Sequence, residues 1–281
     1  MCRWLAYTGS SIPLEALLFN ARHSLIDQSM SSQAPASPTN GDGFGIGWYG
    51  RLEAPGLFRS VRPAWNDFNL RELAAHVEAP LFLAHVRAAS LATVQETNCH
   101  PFRFGHWLFV HNGEIAQVEL FRRELTLAIA PELFNFIQGT TDSELMFYLC
   151  LTFGLDKAPL GAIERMVGFV EQVGRDHGVT NCMSMTLGIT NRQHIYVVRY
   201  ASDGDAPTLF HSRDKEDLHR LDPNLHGRVS LEARVIVSEP VGDRVRDWVS
   251  IPQGTALSVH RAEVKQTPFR PSLPTQRISK H

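Results

Sequence analysis

Met1-Cys2-Arg3-Trp4-Leu5-Ala6-Tyr7-Thr8 opens the chain. Residues 3–8 form an apolar segment that reads as a β-strand starting almost at the chain end, with a cysteine directly before it. Methionine followed by a small residue is a pattern for removal of the initiator, which would leave Cys2 with a free α-amine beside its thiol. Such an amine titrates near about 7.7–8.0 and a thiol near about 8.5, so the amine can act as the thiol's own general base close to neutrality. A cysteine at position 2 is by itself more often chance than chemistry. The rest of the chain has to decide.

Outward from that strand, Pro13 opens a helical pattern through Leu14, Leu17, Leu18 and Ala21. Residues 29–41 are polar and Pro-rich and read as a loop, followed by a Gly-rich strand from Asp42 to Tyr49. Asp67 is placed to cap a helix through Leu70, Leu73, Ala74 and Val77. Leu81–Val86 and Trp107–Val110 are apolar strand candidates, and helical patterns occupy 115–129, 142–153 and 158–176. The last third turns to strands: Met183–Thr190 and His194–Tyr200 as a hairpin around Asn191-Arg192, then Arg234–Ser238 and Thr255–His260. Strands and helices come in runs rather than strict alternation, which favours an α+β sandwich of antiparallel sheets over a doubly wound sheet. One domain is expected over 2–266, with a basic, Pro-containing disordered tail at 267–281.

Four blocks carry chemistry: Met1-Cys2-Arg3-Trp4-Leu5; Asn40-Gly41-Asp42-Gly43-Phe44-Gly45-Ile46-Gly47-Trp48-Tyr49; His85-Val86-Arg87 with Thr97-Asn98-Cys99-His100-Pro101-Phe102; and His111-Asn112-Gly113-Glu114 with Thr141-Asp142-Ser143-Glu144. Each has a plain local reading. Arg87 could serve a surface ion pair, Asn112-Gly113 is a strong hairpin-turn signal, and Thr141 with Glu144 fits a capping box. In this order, across half the chain, the blocks resemble the class II glutamine amidotransferases, whose glutaminase domain begins with a cysteine exposed by removal of methionine. The resemblance implies a four-layer αββα N-terminal-nucleophile fold and a set of roles. Cys2 attacks a γ-glutamyl amide to form a thioester, and Asn112 and Gly113 form the oxyanion hole. Arg87 grips the α-carboxylate, to which a planar guanidinium is suited, and Asp142 holds the α-ammonium. The family block continues Arg-Trp-Ala-Thr where this chain has Arg87-Ala88-Ala89-Ser90, so Ser90 is expected to keep the pocket hydroxyl without the tryptophan wall.

With about 100 residues left beyond the Asp142 helix, the chain resembles the small stand-alone members that hydrolyse γ-glutamyl compounds. The expected ligand is a small γ-glutamyl molecule. A glutaminase subunit passing ammonia to a synthase partner, and a non-catalytic γ-glutamyl-binding protein, are the alternatives. No cofactor is implied, and no metal, because Cys2, Cys99, Cys150 and Cys182 form no C-x-x-C pair and the 13 histidines show no ligand spacing. Four unpaired thiols suit a cytoplasmic protein. A net charge of −2 favours neither nucleic acid nor an anionic membrane, and no apolar run reaches the roughly 18 residues of a membrane span. Gly45-Ile46-Gly47-Trp48-Tyr49-Gly50 matches G-x-G-x-x-G but leads to Pro55-Gly56 rather than a helix, which argues against a dinucleotide site. A Cys99–His100 dyad is disfavoured, since neighbours on a strand point to opposite faces. Val237-Ser238-Glu239-Pro240 looks motif-like with no chemistry attached to it.

Overall fold

The computed structural model describes residues 2–31, 39–88, 93–213, 215–261 and 263–274. Strand β1 (Arg3–Pro13) starts one residue after Cys2. In chain order there follow α1 (Leu25–Met30), β2 (Phe44–Trp48), β3 (Gly56–Ser60), α2 (Phe68–His76), β4 (Glu78–Val86), β5 (Phe102–Phe104), β6 (Trp107–Ile115), α3 (Arg122–Leu127), α4 (Pro131–Phe134), α5 (Asp142–Thr152) and α6 (Pro159–Asp176). The last third holds β7 (Met183–Thr190), β8 (Ile195–Ala201), β9 (Phe210–Ser212), α7 (Lys215–Leu221), β10 (Arg234–Val237), β11 (Trp248–Ser250), β12 (Thr255–His260) and β13 (Glu263–Pro268). One sheet runs β11-β9-β10-β1-β4-β2-β3 and the other β13-β12-β8-β7-β6-β5, with antiparallel pairing throughout both. The expected αββα sandwich is the fold observed.

Three apolar cores make the four layers. Along β1, Trp4 and Ala6 face the second sheet while Leu5 and Tyr7 face the α1–α2 layer. Along β6, Leu108 and Val110 point between the sheets while Trp107 and Phe109 meet α5 and α6. A strand buried on both faces loses the polar positions of a half-exposed one, so these segments read as continuous apolar runs. Helix α5 is buried on most of its circumference, and α6 turns Ile163, Met166, Val167 and Val170 inward. The sheets interlock where Trp4 donates its indole N–H to Thr186 Oγ1 at 3.1 Å. Gly188 leaves the space that the ring fills.

Several expectations change. The helical pattern after Pro13 collapses to one short turn at Ala16–Asn20, because β1 itself runs on to Pro13 beside β4. The loop expected at 29–41 starts later, since Ser29 and Met30 close α1; residues 32–38 lie outside the described residues. Asn112-Gly113 is not a turn: β6 continues to Ile115, with Asn112 opposite Thr186 and Gly113 opposite Met185. Gly45 and Gly47 sit within β2, where an added Cβ would overlap the His100 carbonyl or the Leu108 side chain, so those glycines serve sheet packing. The disordered tail expected from 267 is instead fixed as far as residue 274. Phe269 is buried in the α5–α6 core and donates its N–H to Gly254 O at 2.8 Å, and Ser272 N–H reaches Glu164 O at 3.0 Å. One aromatic anchor outweighs a polar, Pro-containing composition. Residues 275–281 lie outside the described residues.

Candidate active site

Three strand ends meet at Cys2. Residue 2 precedes β1, whose Arg3 lies opposite Val86 at the end of β4. Backbone pairing continues past β4, Arg87 N–H donating to Gly43 O at 2.8 Å and Asp42 N–H to Arg87 O at 3.1 Å. That pairing turns residue 88 toward Cys2, whose thiol lies 3.4 Å from both the Ala88 N–H and the Ala88 carbonyl. From the second sheet, Asn112 on β6 donates its Nδ2–H to the Cys2 carbonyl at 2.8 Å. Burial pushes the Cys2 thiol up, while the Ala88 N–H and the Arg87 and Arg3 guanidiniums oppose it. The resting sulfur is therefore a thiol and needs a base to attack anything.

Arg87 is buried at the mouth of this junction, its guanidinium donating to Asp42 O at 3.3 Å and Thr93 O at 3.4 Å. Asn98 braces that loop. Its Nδ2–H bonds Thr93 O at 2.8 Å and Thr140 Oγ1 at 3.0 Å, while its Oδ1 accepts Thr140 N–H at 2.7 Å. Asn98 thereby ties the Arg87 loop to the residues that start α5. Thr141 caps that helix through the Glu144 N–H at 3.2 Å, but the Glu144 carboxylate accepts from Gln138 and Gly139 instead of closing a capping box. Asp142 accepts the Ile115 N–H at 2.8 Å through Oδ2 and the Ser143 N–H at 2.8 Å through Oδ1. It is therefore held at the end of β6, three residues beyond Asn112. Ser143 continues the chain of bonds to His111 Nδ1 at 2.8 Å.

Of the residues singled out from sequence, Cys2 and Asn112 are bonded directly, Arg87 adjoins the Ala88 that meets the thiol, and Gly113 and Asp142 are brought to the same end of β6. Ser90 lies outside the described residues. The Cys99–His100 dyad is absent, for a reason other than strand alternation. Cys99 ends a short turn and its thiol faces Ser60 O and Gln95 O, while the His100 ring stacks on His85 at 4.3 Å. Burial holds His85 down at about 3 and His100 well below its ordinary value, so both rings are neutral packing groups. Sequence reasoning missed Arg3, which donates to the same Cys2 carbonyl at 3.0 Å. No local signal marks Arg3, because its carboxylate partner, Glu239, is 236 residues away. Asn98, which the sequence places with His100 and Pro101 as a structural part of the site wall, bonds Thr93 and Thr140. Among the described residues no group of three or more His, Cys, Asp or Glu is placed to hold a metal, and no helix is long and apolar enough to cross a membrane.

Gly113 is the tightest point. Its φ is +131°, and an added Cβ would overlap the Ser184 carbonyl on β7. Gly113→Ala is expected to cost about 3 kcal/mol or more through backbone strain and the clash, readable as a lower urea midpoint at unchanged slope. A variant as stable as the parent would show that β6 does not need glycine there.

The model of the class II glutamine amidotransferase family matches residues 16–280. The probable glutamine amidotransferase DUG3 of Saccharomyces cerevisiae is 31% identical, over 96% of this chain and 84% of the yeast protein. The gamma-glutamyl-hercynylcysteine sulfoxide hydrolase of Mycolicibacterium smegmatis is 26% identical, over 96% of this chain and all of that one. Among solved structures, a glutamine aminotransferase class-II domain protein from Silicibacter pomeroyi superposes with a TM-score of 0.74 at 32% identity, covering 96% of this chain and 100% of that chain. The Bacillus subtilis glutamine phosphoribosylpyrophosphate amidotransferase matches at TM-score 0.65 and 14% identity over half its length, a likeness of fold alone.

Proposed function

The chain belongs to the class II glutamine amidotransferases, and on that premise we propose that it is a γ-glutamyl amidohydrolase whose nucleophile is Cys2 after removal of Met1. The observation that carries this reading is the convergence at Cys2: its thiol on the Ala88 backbone beside Arg87, and its carbonyl held by Asn112. The freed α-amine takes the thiol proton, and sulfur attacks the γ-carbonyl carbon. Asn112 Nδ2–H and Gly113 N–H stabilise the oxyanion. The C–N bond breaks as the ammonium returns its proton to the leaving nitrogen, which gives a γ-glutamyl thioester. Water, deprotonated by the same amine, hydrolyses the thioester to glutamate and free Cys2. Arg87 and Asp142 read the α-carboxylate and α-ammonium, which restricts the substrate to a free γ-glutamyl end. A thiol nucleophile is kept reduced in the cytoplasm, and that is where we place the enzyme.

A panel of glutamine, glutathione and other γ-glutamyl compounds tests the reading. Purified protein is expected to release glutamate from at least one of them unaided. Turnover appearing only after a synthase subunit is added would replace it with the subunit reading, and binding without turnover would replace it with the binding-protein reading. Intact mass should show Met1 gone.

Arg87→Lys keeps a charge but loses the planar fork, and KM is expected to rise about 10- to 100-fold with a smaller change in kcat. An amide substrate lacking the α-carboxylate should show almost no difference between the two proteins. If the variant is equally impaired on both substrates, Arg87 supports the loop rather than the ligand.

A further inference from the structure

Val237-Ser238-Glu239-Pro240 lies where β10 ends beside the start of β1, with Leu5 opposite Val237. Ser238 locks the two strands together: Trp4 N–H donates to Ser238 Oγ at 3.0 Å, and Ser238 N–H donates to Trp4 O at 3.1 Å. Glu239 follows, buried to 9% exposure, with both carboxylate oxygens engaged. Oε2 accepts from Arg3 Nε at 2.6 Å, and Oε1 meets His23 Nε2 at 2.8 Å. His23 is itself fixed, with φ at +50°, directly before the Ser24 cap of α1. Buried Gln28 of that helix donates to both His23 O and Pro240 O at 3.1 Å. The carboxylate is therefore gripped from two sides and is not a loose surface partner.

Arg3 is 4% exposed and carries the grip onward, its Nη1–H donating to Cys2 O at 3.0 Å. That carbonyl also receives Asn112. Two donors on one oxygen fix the peptide plane that follows Cys2, and with it the Cα from which both the thiol and the α-amine project. A buried Arg–Glu pair is poor evidence for stability, since well-packed apolar residues often serve as well. Apolar residues could not donate to the Cys2 carbonyl.

Resting on the reading of Cys2 as nucleophile, we propose that Glu239 is a positioning residue for catalysis: through Arg3 it sets the orientation of the Cys2 amine and thiol, with His23 holding the far side of the carboxylate.

Displacement of a nucleophile by as little as 1 Å can cost on the order of 10²-fold in rate. Glu239→Gln keeps the shape and removes the charge. With whichever γ-glutamyl compound the wild type hydrolyses, its kcat is expected to fall about 10- to 100-fold while KM stays within about threefold. The second readout needs no substrate: the rate of Cys2 alkylation by iodoacetamide against pH, followed by mass spectrometry, with buried Cys99, Cys150 and Cys182 as internal references. The Glu239→Gln curve should be displaced from the wild-type curve by about half a pH unit or more, because the charge compensating Arg3 beside the thiol is gone. Glu239→Asp should recover part of kcat.

A Glu239→Gln protein with wild-type kcat overturns the proposal. So does one whose kcat and melting temperature fall together while the alkylation curve is unchanged, since that marks a purely structural pair. If Glu239→Gln does not fold, Arg3→Lys decides by the same two readouts, because it keeps the charge but not the fork joining Glu239 to Cys2. If no compound is turned over, the reading of the function fails. The alkylation curves still show whether Glu239 governs Cys2.

Discussion

Cys2→Ala abolishes glutamate release, with turnover down on the order of 10⁴-fold or more, while the protein folds and binds glutamate as before. The size of the effect follows from the division of labour at residue 2. Burial keeps the thiol protonated at rest, and in the proposed mechanism the residue supplies both the attacking atom and, once Met1 is gone, the base. Cys99 cannot take its place, because it is buried against Ser60 O and Gln95 O and its thiol is pushed up to about 11. The variant should cost little stability: the thiol contacts with Ala88 are 3.4 Å long, and a sulfur hydrogen bond of that length contributes about 1 kcal/mol or less. Acid-quenched wild type should carry one γ-glutamyl group on its N-terminal peptide, and Cys2→Ala none. Residual turnover within tenfold of wild type, or a retained Met1 in active protein, would sink the mechanism.

How much of this was legible beforehand depends on how far apart the interacting groups lie in the chain. Strands β1, β4, β6, β7 and β12 announce themselves as apolar runs, because two layers cover each of them. Strand β3 does not. Its Leu57, Phe58 and Arg59 are half-exposed, and it starts at Gly56, directly after Pro55. Helix α1 carried its signal in Ser24 and Asp27, which form a capping box, but it is only six residues long and adjoins a loop-like composition. Asn112-Gly113 misled as a turn because local propensity knows nothing of β7, whose backbone comes so close that only glycine fits beside Ser184. The tail misled in the same way: Phe269 finds its pocket on α6 and β8 only once the sandwich is assembled.

The candidate site divides along the same line. Arg87, Asn112 and Asp142 stood out because each sits in a compact block, and family order supplied the rest. Arg3 was on view beside Cys2 and still carried no meaning, because its partner Glu239 is 236 residues away. The Ser238-Glu239 pair looked like a motif without chemistry for the same reason. Its chemistry belongs to the other end of the chain. In the proposed mechanism Cys2 becomes a chain end, and a chain end frays unless other strands fix it.

Asn112→Ala should reduce kcat by about 10²- to 10³-fold with little change in KM, as expected when one of two oxyanion donors is removed from a water-poor site. The proposed mechanism gives Asn112 two jobs, which its two amide hydrogens allow. One bonds the Cys2 carbonyl at 2.8 Å, and the other would meet charge that develops on the substrate oxygen. The two jobs predict different kinetics. Holding Cys2 matters while sulfur is the attacking atom, so its loss slows formation of the thioester. Stabilising the oxyanion matters in both halves of the reaction, because water attack on the thioester passes through the same tetrahedral charge. Rapid-quench measurement of acylation, and separately of the decay of the trapped γ-glutamyl enzyme, should therefore show both steps slowed in Asn112→Ala. Asn112→Asp should be at least as slow, since it replaces a donor with a negative charge facing the oxyanion. If Asn112→Ala slows acylation alone and its thioester decays at the wild-type rate, Asn112 works on Cys2 and not on the transition state. The oxyanion hole would then have to be built around Gly113 and a different donor.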